Sequence, residues 1–144
     1  SLSAMLPPEL LAAYRATRYV VDTSPIGRFV LRIGQPSAAA DRLCRLLGQA
    51  SWVYVTACNP RSRLLPPEEN AARMAALERV LQAQGWRYFP GTGCGDDLNW
   101  PPEPSLLVPG VDRAQAVSLG RRFEQNAVVY GELGGPAQLL LTAE

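Results

Sequence analysis

The chain has 144 residues, of which 47% are hydrophobic and 19% charged, with 14 Lys plus Arg against 13 Asp plus Glu. That length and apolar content are enough for one domain that folds without metals or disulfides. The near balance of charge argues against nucleic acid as a principal partner, because no basic field is present to hold a phosphate backbone by counterion release. There is no His, and all 14 basic residues are Arg. This removes Ser-His and Cys-His nucleophile pairs, imidazole metal ligands, the phosphate-binding lysine of a Walker A loop and a Schiff-base lysine.

The all-Arg, Ala-rich and Pro-rich usage reads as the imprint of a GC-rich bacterial genome rather than of function. Cys44, Cys58 and Cys94 are odd in number and widely spaced, without a Cys-x-x-Cys pair or a zinc-like cluster, so reduced thiols in a cytoplasm are expected. No apolar run reaches about 18 residues, and the N-terminus lacks a basic region leading into a hydrophobic core, so neither a membrane span nor a secretory signal is expected. Ser1 to Ala4, ahead of Met5, are set aside as an expression remnant or a disordered start. A single α/β domain is placed over residues 5–144, as a monomer or weak homodimer.

Pro7 and Pro8 ahead of Glu9-Leu10-Leu11-Ala12-Ala13-Tyr14 predict a short first helix that packs as a lid. Thr17 to Asp22 and Arg28 to Ile33 predict a hairpin around Thr23-Ser24-Pro25-Ile26-Gly27. Ala40, Leu43, Cys44 and Leu47 form an i, i+3, i+4, i+7 stripe, with Ser37 as N-cap and Gly48 as C-terminal stop. Ser51 to Cys58 is apolar on both faces and predicts a central strand ended by Asn59-Pro60. Pro66-Pro67-Glu68-Glu69 opens a long helix to about Gln84, with Met74, Leu77, Val80 and Leu81 facing inward. Trp86 to Phe89 is the next expected strand, Gly91 to Asp97 a flexible loop, and Glu103 to Val108 a further strand. Asp112, with Gln115 in the capping-box position, starts a helix to about Gln125. Asn126 to Glu132 and Gln138 to Thr142 predict a closing hairpin. Strands interleaved with single helices predict an α/β sandwich, a mixed sheet covered by three to four helices.

The residues that bear on function cluster in a few segments. Asn59 lies where a buried strand breaks off, a place where open α/β sheets present residues to ligands; Asn59 and Ser62 can equally be local turn formers. The Thr56 hydroxyl in an apolar strand needs a partner if buried. Asn70 approaches the same loop from the long helix, or is an exposed helix residue. Gln125 and Asn126 can read a ligand through paired donors and acceptors, or cap their helix. Gly91 to Asp97 is superficially like a phosphate cradle, but no helix follows and Asp96 and Asp97 repel an anion. The aspartates match no cation-loop pattern, so no metal or cofactor is expected. Trp100-Pro101-Pro102-Glu103-Pro104-Ser105 is rigid and suited to walling a pocket. Within it, Glu103 is a candidate acid or base if desolvated, or pairs with an arginine. Cys58 has no His to activate its thiol.

Seven separate pieces carry a likeness: Tyr14-x-x-Thr17-x-Tyr19, Phe29-x-Leu31-x-Ile33-Gly34, Thr56-Ala57-x-Asn59-Pro60-x-Ser62, Asn70, Gly91-x-Gly93, Trp100-Pro101-x-Glu103-x-Ser105 and Phe123-x-Gln125-Asn126-Ala127. In this order and spacing, over Tyr14 to about Leu141, the chain resembles the bacterial domain of unknown function 3293 family. The resemblance implies a shared polar motif set and bacterial origin, without an activity. The leading expectation is a small-molecule or peptide binding module. Tyr19, Thr56, Asn59, Ser62, Asn70, Trp100, Glu103, Ser105, Gln125 and Asn126 are expected to converge on one pocket, since amides and hydroxyls recognise well but activate poorly. The alternatives are a metal-independent hydrolase or transferase using Glu103 as acid or base, with Asn amides as oxyanion donors, and a protein-interaction domain without a small-molecule site.

Overall fold

The helices of the computed structural model, which describes residues 6–143, begin where the sequence supplies a start signal. Helix α1 (Pro8–Ala16) carries Pro8 in its first turn, where the missing N–H would have had no intrahelical partner. Helix α2 (Ala38–Leu47) is capped by the Ser37 hydroxyl, which accepts from Ala40 N at 3.1 Å, and stops at Gly48 with φ 68°. Helix α3 (Pro67–Ala83) opens on Pro67-Glu68-Glu69, and α4 (Arg113–Arg122) on the reciprocal capping box of Asp112 and Gln115. The supposed remnant Ser1 to Ala4 lies outside the described residues.

The strands are β1 (Arg18–Thr23), β2 (Gly27–Leu31), β3 (Ser51–Val55), β4 (Phe89–Cys94), β5 (Glu103–Pro109), β6 (Ala127–Glu132) and β7 (Gln138–Leu141). They form one sheet in the order β2-β1-β4-β5-β3-β6-β7, within the expected α/β class. The expectation of a mixed sheet needs correction, because every ladder between named strands is antiparallel. Among the described residues the parallel pairing is an isolated bridge, Ile33 to Ala137. The helical crossovers do join parallel strands, as crossover geometry requires. However, β3–α3–β4 steps over β5 and β5–α4–β6 steps over β3, so an antiparallel strand separates each parallel pair.

Strand β3 has interior neighbours β5 and β6, as its two-sided apolar sequence predicts, and alternation along it divides the core. Val53 and Val55 pack with Leu106, Val108, Leu77, Leu81, Ala116 and Leu119 under α3 and α4. Trp52 and Tyr54 pack with Leu107, Val129, Ala40, Leu43 and Cys44 on the α2 face. β3 ends at Val55 rather than at Cys58: the Thr56 hydroxyl donates to Pro104 O at 2.7 Å and accepts from Cys58 N at 3.0 Å, turning the chain out of the ladder.

The expected strand Trp86 to Phe89 and flexible loop Gly91 to Asp97 are also corrected. Phe89–Cys94 is a strand, with Gly91 opposite Val21 on one side and Ser105 on the other. Gly91 serves close approach, not a turn. A Cβ on Gly91 would run into the Val20 carbonyl and stand 2.9 Å from Tyr54 Oη. With no side chain there, the Tyr54 phenol lies against the strand and donates to Val20 O at 2.9 Å.

Candidate functional site

The loop after β3 bends through left-handed backbone at Asn59, Arg61 and Ser62, with φ of 50°, 54° and 61°. Non-glycine residues held there cost of order 1–3 kcal/mol each and persist only where the surroundings over-determine them. Here the surroundings are a polar knot. Asn59 N donates to Asn70 Oδ1, while Asn59 Oδ1 accepts from Asn70 Nδ2 and Leu65 N, all at 2.9 Å. Asn59 Nδ2 donates to Glu103 Oε2 at 2.7 Å.

A second set of bonds ties the loop to the junction between α4 and β6. Arg61 N donates to Glu124 O at 2.7 Å and its guanidinium to Gln125 O at 3.1 Å. Asn126 Nδ2 donates to Ser62 Oγ at 3.0 Å, and Gln125 Nε2 to Cys58 O at 3.0 Å and Phe123 O at 3.1 Å. Arg73 of α3 spans the same seam, donating to Ala57 O and Phe123 O.

On the opposite face of the sheet from α3 and α4, a cavity of about 590 Å³ lies beneath α1. Alternation along β5 puts Glu103 and Ser105 on the same face as the buried Leu107, and so at the floor of this cavity. Helix α1 contributes Leu10 and Ala13 to its roof and buries no residue fully, because it spans a hollow rather than packed core. Of the ten expected residues, Tyr19, Thr56, Asn59, Ser62, Trp100, Glu103, Ser105 and Gln125 border the cavity. Asn70 and Asn126 stand behind it, bonded to Asn59 and Ser62.

Sequence reasoning did not assign Tyr14 and Tyr54, which also border the cavity. Tyr19 and Tyr54 meet edge to face with ring centroids 5.3 Å apart. The signal available for Tyr54 was a phenol within an otherwise apolar buried strand, since a buried tyrosine hydroxyl normally finds a partner. Tyr14 lay within the motif Tyr14-x-x-Thr17-x-Tyr19; its backbone carbonyl accepts the Tyr19 hydroxyl at 2.8 Å.

Burial pushes the Glu103 carboxyl above the ordinary carboxylate range, and the bonds from Asn59 and the Trp100 side chain pull it back only in part. The arginine partner entertained for Glu103 does not occur: the ion pairs among the described residues are Arg28 with Asp22 and Arg73 with Glu124. Tyr14, Tyr19 and Tyr54 are all pushed up by burial, with a further upward push from Glu103. Each therefore stays a neutral phenol at physiological pH. The amide groups are largely engaged with the chain itself, both N–H bonds of Gln125 going to backbone carbonyls.

The three cysteines are free, with Cys44 and Cys58 buried. Burial raises the Cys58 thiol and takes Cys44 up to about 11, the reverse of what an activated nucleophile needs. Native-state labelling with iodoacetamide at pH 8 should modify the partly exposed Cys94 first, with Cys44 and Cys58 reacting only on unfolding. Faster labelling of Cys58 would contradict its inert assignment. No group of three or more His, Cys, Asp or Glu among the described residues is disposed to hold a metal ion. Nor is any helix among them long and apolar enough to cross a membrane.

Comparison with curated proteins and with solved structures gives no match. The family model described as "Protein of unknown function (DUF3293)" matches residues 55–128, just over half of the chain. That span carries Asn59, Asn70, Trp100, Glu103, Gln125 and Asn126, while Tyr14 and Tyr19, which complete the cavity wall, lie ahead of it. On that match, the chain belongs to the DUF3293 family.

Proposed function

We propose that the cavity beneath α1 is a small-molecule binding site with Glu103 as its polar anchor. Its volume of about 590 Å³ falls in the range typical of ligand pockets, about 300–1,000 Å³. Aromatic walls around a few convergent polar groups are the usual make-up of such sites. The observation that carries the reading is Glu103, a desolvated carboxyl at the cavity floor with no basic partner among the described residues. Keeping an acid there costs stability, and groups that cost stability are retained where they serve function. Three unpaired thiols favour a reducing compartment such as the cytoplasm.

The sign of that cost sets a test. Because its folded-state pKa is raised above 4.5, Glu103 favours the native state most below the ordinary carboxyl range, and this contribution is lost as pH rises through the raised value. Glu103→Gln should therefore melt higher than wild type at pH 8, with the gap closing as pH falls toward 4.5. A constant gap, or a less stable variant at pH 8, would contradict the desolvated carboxyl.

Ligand screening tests the site itself. A bound metabolite at about 100 times its Kd stabilises the native state by about 2.7 kcal/mol. That shift should vanish in Ala13→Trp, which adds bulk at the roof of the cavity and changes no residue of the sheet. Equal shifts in both proteins would remove the cavity from the reading.

A second reading, acid–base chemistry in hydrolysis or group transfer, draws on the same raised Glu103 carboxyl. It is the weaker of the two, because the Asn59, Asn70 and Gln125 amides that would stabilise an oxyanion already donate within the protein.

A further inference from the structure

We infer that the cavity selects a small organic cation, an ammonium or guanidinium carried on an apolar body. This deepens the binding-site reading and rests on it. The charged residues bordering the cavity are Glu9, Asp96, Asp97 and Glu103. All four are acidic, in a chain whose 14 basic residues slightly outnumber its 13 acids. An anion entering would therefore meet repulsion at the rim and again at the floor, whereas a cation is drawn inward by both.

The walls supply the second argument. Tyr14, Tyr19, Tyr54 and Trp100 border one volume, and aromatic faces attract ammonium and guanidinium groups, most strongly where water is excluded. Their phenols remain neutral, so they add no competing charge. Glu103 accepts from Asn59 and Trp100, yet a carboxylate offers about four acceptor positions. It therefore keeps capacity for a charged donor, which none of the described residues supplies. The apolar part of the ligand would lie against Leu10, Ala13 and Val129, which border the same space.

Three probes of matched shape and different charge test this by calorimetric titration at pH 8: phenethylamine, 2-phenylethanol and phenylacetate. Phenethylamine should bind about tenfold more tightly than 2-phenylethanol, with phenylacetate weaker than both. Glu103→Gln should remove most of the advantage of the amine over the alcohol. Asp96→Asn with Asp97→Asn should flatten the salt dependence of amine binding. Affinity for the amine should also rise with pH as Glu103 ionises. The other titratable groups facing Glu103, namely Tyr14 on α1, Tyr19 on β1, Tyr54 on β3 and Cys58 beyond it, are all shifted upward and stay neutral over that range. Asp96 and Asp97 at the rim are separated from it by their amide variants, and Glu9 by Glu9→Gln.

If the amine and the alcohol bind equally, or phenylacetate binds best, charge selection is overturned while the cavity reading stands. If no probe binds wild type more tightly than Ala13→Trp, both are overturned.

Discussion

Gly91→Ala should lower the stability of the native state by about 3 kcal/mol, the upper part of the range for overpacking a well-filled interior. The new methyl group would meet the Val20 carbonyl and stand 2.9 Å from Tyr54 Oη and 3.0 Å from Tyr54 Cε2. The first neighbour is backbone held in the β1–β4 ladder. The second is a ring fixed by its own bond to Val20 O and by its edge-to-face contact with Tyr19. Neither can yield without breaking a hydrogen bond, so the sheet must spread or Tyr54 must leave. Urea denaturation followed by far-ultraviolet dichroism would read the loss, and a midpoint within error of wild type would refute the close-approach account. Gly93→Ala is the internal control, because a Cβ there finds its nearest neighbours at 4.0 Å.

Asn59→Ala should cost about 2–3 kcal/mol, because it removes three hydrogen bonds made by a buried side chain and strands a half-buried backbone donor. Leu65 N loses its acceptor, Asn70 Nδ2 keeps only the longer bond to Leu65 O at 3.4 Å, and Glu103 Oε2 loses the Asn59 donor. Asn59 is only 4% exposed, so water cannot readily substitute. Alanine also has less tolerance than asparagine for the left-handed φ of 50°. Asn59→Gly separates the two causes: recovery of stability relative to Asn59→Ala would point to the backbone, and no recovery to the side-chain bonds. Ligand titration then decides the role of the loop. If Asn59→Ala lowers the melting point while leaving every ligand response unchanged, the loop is a turn and nothing more. If the response falls with it, Asn59 acts by holding the Glu103 carboxyl in place.

Local signals carried much of the chain. Ser37, Gly48, Asp112 and Gln115 mark helix ends through bonds made within a few residues, so the sequence nearby is sufficient to find them. The two-sided apolar run of β3 likewise announced an interior strand. Glycine misled at β4, where Gly91 and Gly93 looked like loop residues. The need for glycine at 91 depends on Tyr54 and Val20, which are distant in sequence and near only once the sheet forms. The same blindness hid the strand order, since nothing local says that β5 will insert between β3 and β4.

The candidate site divides along the same line. Asn59, Ser62, Asn70, Glu103, Gln125 and Asn126 were legible as polar residues at strand ends and helix junctions, where an apolar chain has a reason to place them. Their separation into two layers was not, and neither was the absence of an arginine beside Glu103. By itself, the sequence determined the four helices, most of the strands, several helix caps, the apolar faces and the chemistry excluded by lacking His and Lys. Only the tertiary structure decided that the sheet is antiparallel throughout its ladders, that α1 roofs a cavity, and that Glu103 sits on its floor with no basic partner among the described residues. The physical reason is range: caps and periodicity act over one or two turns, whereas desolvation of a carboxyl depends on every element that closes around it.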